Sequence, residues 1–239
     1  MHARSFFRKA IRPSAVLAVA LGAALVVFGG AATANHAQAS NGNGNGNGGA
    51  KVQIYRANLS PLNAGVDGQG AVSGFAMIMV RGDTITVQVH ASGLAAGPHA
   101  MHIHTGTSCP TSAADVNNDG FIDVVEGIPA YGPILVPLDS DLSTQAAGMF
   151  PSPNNGGILH YRASTSLSAM LADLHAPDPN PNDAVVKLAP GEDLNLAMRH
   201  IVIHGVAAST ALPSTVASLP GAPATATLPV ACGAITQVK

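Results

Sequence analysis

Tryptophan is absent from this chain, and Phe and Tyr together supply only nine of its 239 residues. Charged side chains are equally scarce, at 10% against 47% apolar ones. That balance excludes a coiled coil and a chain kept disordered by its charge, because both need far more ionic side chains. Long helical patterns are missing too. The best, Ser166 to Leu174, is too short to be more than a cover over a loop. The one long apolar run, Ala15 to Phe28, falls short of the ~20 residues that a membrane span needs. Cysteine is limited to Cys109 and Cys232, and no Asp, Glu, Lys or Arg occurs from Gly205 to Val238.

What the amino terminus does have is Arg4, Arg8, Lys9 and Arg12 ahead of that apolar run. This order of charge, apolar stretch and small residues predicts a secretory signal over residues 1–39 and export from the cytoplasm. Ala37-Gln38-Ala39 is the expected cleavage point, Ala32-Thr33-Ala34 an earlier one, and a retained anchor the alternative. Cleavage leaves seven basic residues against thirteen acidic ones, a net −6 with His neutral, which argues against nucleic acid as a partner. Residues 40–50 hold the Gly/Asn tract Asn41 to Gly49, a flexible tether without side chains that pack. One domain over 51–239 follows. In an exported chain, two cysteines suggest one structural disulfide.

The domain reads as strands. Apolar residues alternate in Val52-Gln53-Ile54-Tyr55, Phe75 to Val80, Ile85 to Val89, and His200 to His204. Arg81-Gly82-Asp83 is placed to close an antiparallel hairpin. The expectation is an all-β sandwich or barrel with long functional loops.

Eight histidines remain after the signal. His102 and His104, two apart on an apolar strand, leave one face about 6–7 Å apart along the backbone and can converge on one ion. A lone His-x-His is as compatible with two satisfied or exposed histidines. His204, ending the strand Arg199 to His204, supplies the third imidazole that a nitrogen-ligand copper or zinc site asks for.

Three segments carry a resemblance. Gly93-Leu94-Ala95-Ala96-Gly97-Pro98-His99-Ala100-Met101-His102-Ile103-His104 resembles the copper strand of the copper/zinc superoxide dismutases, G-L-x-x-G-x-H-x-x-H-x-H. Arg199 to His204 is similar to the family's strand ending in its last copper ligand, and Pro229-Val230-Ala231-Cys232-Gly233-Ala234-Ile235 to its final A-C-G-x-I strand. The resemblance covers most of residues 70–239. It implies a Greek-key β-barrel, copper on His102, His104 and His204, a Cys109–Cys232 bridge, and His99 as a residue that orders the loop. The substrate it implies is superoxide, converted to dioxygen and hydrogen peroxide. His200 is at most a spare ligand, and His90, alone in its strand, reads as an ordinary surface histidine.

Further along, Gly156-Gly157-Ile158-Leu159-His160-Tyr161 resembles the bacterial form's G-G-H-Y segment with two extra residues, which implies His160 as the fourth copper ligand, shared with zinc and a proton donor in turnover. His175-Ala176-Pro177-Asp178-Pro179 has the spacing of the family's H-x-x-D zinc ligands. Two departures stand out. No histidine lies between His160 and His175, which leaves zinc one ligand short of its usual four. Pro229 occupies the position of the family's substrate-holding Arg, which predicts slow turnover unless Arg162 or Arg199 takes that role.

The segment from Asp115 to Glu126 carries a different signature. It fits the twelve-residue calcium loop D-x-[DN]-x-[DN]-G-x-x-x-x-x-E, with Asp115, Asn117, Asp119, Asp123 and Glu126 as oxygen donors, the Phe121 carbonyl at position seven, and Gly120 for the turn. Weak helical sequence on either side leaves an acidic Asn/Gly turn as the alternative. Two functions are open on these residues. One is an exported copper-binding dismutase slower than its family. The other is a secreted, calcium-stabilised β-sandwich of chordin-type character that holds metal without turnover.

Overall fold

The structure, a computed structural model, describes residues 51–66, 69–146, 148–179 and 184–239. The expected signal and the tether lie outside these residues. Contacts divide the chain between Asn47 and Gly48, and every element below belongs to the second unit, Gly48–Lys239.

Among the described residues, eight strands run β1 (Val52–Pro61), β2 (Ser73–Arg81), β3 (Thr84–Ser92), β4 (Met101–His104), β5 (Ile134–Pro137), β6 (Leu159–Ser166), β7 (His200–His204) and β8 (Pro229–Val238). Three short α-helices accompany them there: α1 (Val124–Tyr131), α2 (Leu167–Leu174) and α3 (Ala224–Thr227). The strands form a curled half-barrel in the order β5-β4-β7-β8-β1-β2-β3-β6, antiparallel at each ladder. The all-β expectation holds. No helix among the described residues is long and apolar enough to cross a membrane.

Period-two alternation sets the faces. Ala57 and Leu59 of β1, Ala76 and Ile78 of β2, and Val87 and Val89 of β3 turn into one core, while their sequence neighbours face out. The expected β2–β3 hairpin closes at Gly82-Asp83, where Gly82 takes φ +57°, a left-handed conformation that favours glycine. Asp83 then ties the hairpin to α2: its carboxylate accepts from the Ser168 amide (2.8 Å), and its carbonyl from the Leu167 amide (2.7 Å). That helix is the Ser166–Leu174 segment, with Ser166 as its cap.

β4 and β7 are buried on both faces along their whole length. Met101, Ile103, Ile201 and Ile203 enter the main core, whereas Val202 turns the other way into a second cluster with Tyr131 and Cys232. The segment between β4 and β5, with α1 in it, covers that second face. The Cys109–Cys232 disulfide pins this cover to β8, with Cα atoms 5.8 Å apart.

The bridge closes a loop across 123 positions of sequence. Replacing both cysteines by Ser is expected to lower the unfolding free energy by roughly 2–5 kcal/mol, measured in denaturant without reductant. An unchanged midpoint would mean that packing alone holds the cover down.

Candidate metal centre

His102 and His104 leave β4 on the face that carries Val202 of β7, and His204 lies diagonally across the same ladder, its amide donating to the Ala100 carbonyl at 2.8 Å. Two ladders shift register at these histidines. β5 carries the extra residue Leu135 opposite His104, and β8 the extra residue Val230 opposite His204. Such bulges re-aim side chains at a strand end. The three rings stand 5.4–5.6 Å apart between centres, and one nitrogen from each comes within 4.8 Å of the others.

Which nitrogen faces the centre is fixed by backbone carbonyls. His104 Nδ1–H donates to the Gly132 carbonyl at 2.8 Å, and His204 Nδ1–H to the Thr227 carbonyl at 2.8 Å. A carbonyl only accepts, so each ring carries its proton on Nδ1 and keeps a lone pair on Nε2. Those two Nε2 atoms and His102 Nδ1 are buried without a hydrogen-bonding partner among the described residues. Three buried, partnerless nitrogens that converge, two of them acceptors, are a costly arrangement for a protein on its own and a natural one for a cation. Gly132 reaches His104 by following α1 with φ +76°, a conformation that most other residues resist.

The walls are apolar. Val124, Ile128, Pro133, Ile134 and Leu219 line the cavity beside the imidazoles, and Phe150 and Tyr131 set their rings against His102 (5.3 Å) and His104 (4.7 Å). Burial is the main reason that the three imidazoles resist protonation, with repulsion from their neighbours adding to it at His102 and His104. His104 is pushed down to about 3, His204 to about 4, and His102 well below its ordinary value. At neutral pH all three are uncharged and present lone pairs.

His99 stays outside this set. It is buried between two carbonyls, with Nδ1 3.0 Å from the His204 oxygen and Nε2 2.9 Å from that of Ala95, and so joins the loop before β4 to the end of β7. His200 turns to the Gly106 carbonyl (3.0 Å).

Several expected ligands are not brought to the centre. Among the described residues, His102, His104 and His204 form the one group of three or more His, Cys, Asp or Glu side chains with converging ligand atoms. His160 is exposed on β6, directly opposite His90, and its ring packs on His90 at 4.3 Å. Strand pairing has claimed the segment that the resemblance assigned to a metal loop. His175 caps the end of α2, with Nε2 2.8 Å from the Glu192 carbonyl, and Asp178 lies in an open groove beside Asp173 and Lys187. The zinc set of His160, His175 and Asp178 is therefore not assembled.

The acidic loop places its oxygens on amides. Asp115 accepts from the amides of Asp119 (3.1 Å) and Gly120 (3.0 Å), Asn117 from that of Asp119 (2.9 Å), and Asp119 from that of Phe121 (2.9 Å). Glu126 accepts from Val116 (3.0 Å) and Asp123 (3.1 Å). Asp123, nearly fully buried, caps α1 through the amides of Val125 and Glu126 and also accepts from the Ala217 amide at 2.7 Å. The weak helical sequence after the loop thus conceals a real helix. Its signal was the Asp123/Glu126 capping box, offset by Gly127 and Pro129, which are poor helix formers. Gly127 leaves room for the Tyr131 ring, which a Cβ there would strike.

Neither Arg199 nor Arg162 serves the centre. Arg199 is a buried bolt that donates to the carbonyls of Leu194 (2.8 Å) and Thr105 (3.2 Å) and pairs with Glu192 (3.1 Å), while Arg162 is exposed on β6. Pro229 is buried directly opposite His204, so the position that the resemblance gives to an Arg does adjoin the third ligand.

The metal-free protein should lose stability as pH falls from about 6.5, where unfolded histidine titrates, toward the lower values held in the fold. Over that range the unfolded chain takes up protons that the buried imidazoles refuse. Above it their contribution is flat. Denaturant midpoints of chelator-treated protein at pH 7.5 and pH 5 should differ in that sense, and His204→Gln should shrink the difference. Equal midpoints would contradict burial of the three rings.

No family model and no curated protein matches this chain.

Proposed function

We propose that this is an exported copper protein of superoxide dismutase-like character, with one mononuclear centre on His102, His104 and His204 and with turnover that is slow for such a centre. The observation that carries the reading is the set of three buried, partnerless nitrogens converging on one point. Three neutral imidazoles suit copper, which binds such sites more tightly than the neighbouring divalent metals do. The curled antiparallel sheet, with β4, β6 and β7 reached by crossing connections, supports a Greek-key arrangement. The disulfide supports an oxidising compartment.

Copper at this site supplies one-electron exchange with superoxide, which gives dioxygen in one direction and, with two protons, hydrogen peroxide in the other. The chain's own contribution is to position and to exclude. The Gly132 and Thr227 carbonyls hold two rings in the binding tautomer, and the apolar walls keep bulk water from the ligands. Tyr131 keeps its proton, because burial first and Asp123 second raise its hydroxyl above the ordinary value. With His160 on β6, the proton relay that the resemblance implied has no side chain at the centre. Pro229 opposite His204 favours the second reading, a metal-holding module without turnover.

Rates divide the two readings. Copper-loaded protein should dismute superoxide measurably, with weak dependence on ionic strength because no charged loop steers the anion. Pro229→Arg, checked for equal copper content and folding, should raise the rate. If loaded wild type and variant are both no faster than buffer, the module reading replaces the enzyme.

Calcium is the second ion that the sequence proposes, for the loop from Asp115 to Glu126. Calcium bound only to the folded state stabilises it by RT ln(1 + [L]/Kd), about 2.7 kcal/mol at one hundred times Kd. Melting should therefore be higher in millimolar calcium than in chelator, and Glu126→Ala should remove the difference. Equal melting would assign the loop to its amide hydrogen bonds alone.

A further inference from the structure

We propose that His90 and His160 form a second metal site, open to solvent on the outer face of β3 and β6, which takes Cu(II) through two imidazoles and water. This site does not depend on what the buried centre binds. The two residues are direct cross-strand partners. Their sequence neighbours Val89, Leu159 and Tyr161 are buried, so alternation turns both histidines outward. Their ring centres are 4.3 Å apart, closer than any pair in the buried centre. Two nitrogens bound side by side to one ion at 2.0–2.1 Å lie about 3 Å apart, within reach of rings at this spacing.

The surroundings favour a ligand. Neither ring has a hydrogen-bonding partner among the described residues, and two edge-to-face imidazoles cannot satisfy each other's nitrogens. Phe75, opposite His90 on β2, stacks on it at 5.6 Å with 28° between the planes, and the Arg56 guanidinium lies 5.2 Å over Phe75. One ligand ring is thus buttressed while the other stays free to adjust. Phe75, Gln88, His90, His160 and Arg162 line a shallow concavity with space for coordinated water. Arg162 shares the face of His160 and weakens cation binding there, but between exposed groups that repulsion is screened by solvent and salt.

Two imidazoles make a weaker site than three buried ones, and an open site exchanges its ion with solvent. Cu(II) is the divalent ion that such a pair holds best. The pair therefore gives this domain an exchangeable metal position beside a closed one.

The test is a two-step copper titration of the full chain, followed by equilibrium dialysis and by the nitrogen hyperfine pattern in electron paramagnetic resonance. Wild type should bind a second Cu(II) with two nitrogen ligands. His90→Gln and His160→Gln should each weaken that step by on the order of tenfold or more, leave the first equivalent unchanged, and melt as wild type does. In His204→Ala the first equivalent should be lost and the second kept, so a failure of either site is read separately. A second equivalent that is absent from folded wild type, or bound equally well by both surface variants, overturns the proposal.

Discussion

The pairing of β4 with β7 is the constraint on which the rest of the structure depends. It sets His102 and His104 on one strand against His204 on the other, and it gives both strands two buried faces. One face completes the main core. The other needs a cover, which the segment around α1 provides, held to β8 by the disulfide. A one-residue slip in this ladder would turn the histidines into the core and the isoleucines out.

The cover also prepares the ligands. α1 ends at Gly132, whose carbonyl orients His104, and α3 ends at Thr227, whose carbonyl orients His204. Both helices therefore act as second-layer supports, and the carboxylate that starts α1, Asp123, is itself tied to Ala217 across the loop. The arrangement has a cost. Each buried acceptor without a partner is unfavourable by about 1–3 kcal/mol, and an ion bound there would relieve that cost and so couple its binding to folding.

Much of this was legible in the sequence. Period-two alternation located β1, β2, β3 and β7, Gly82 the hairpin, and the family resemblance, added to the His102–His104 spacing, the three histidines of the centre. Two cysteines in a chain read as exported suggest one disulfide, and the structure contains it. What was not legible depended on distance. His160 belongs by resemblance to a metal loop, but ladder register with β3 draws it to His90, and register follows from the packing of a whole sheet. α1 was obscured because Gly127 and Pro129 weaken helical propensity locally, whereas its capping box and the packing of Tyr131 and Val124 under the cover stabilise it. Arg199 looked available as a free cation and is consumed by two carbonyls and Glu192.

The central claim is that the fold gathers three imidazole nitrogens at one point before any metal arrives, with backbone carbonyls aiming the lone pairs of His104 and His204. Nitrogen-15 NMR of the metal-free protein at neutral pH reads it directly. The account predicts His104 and His204 as neutral rings protonated on Nδ1, His102 as a neutral ring with Nδ1 unprotonated, and loss of these three signals first on addition of Cu(II). Protonation of His104 or His204 on Nε2, or signals from all three rings that persist at one equivalent of copper, would contradict it.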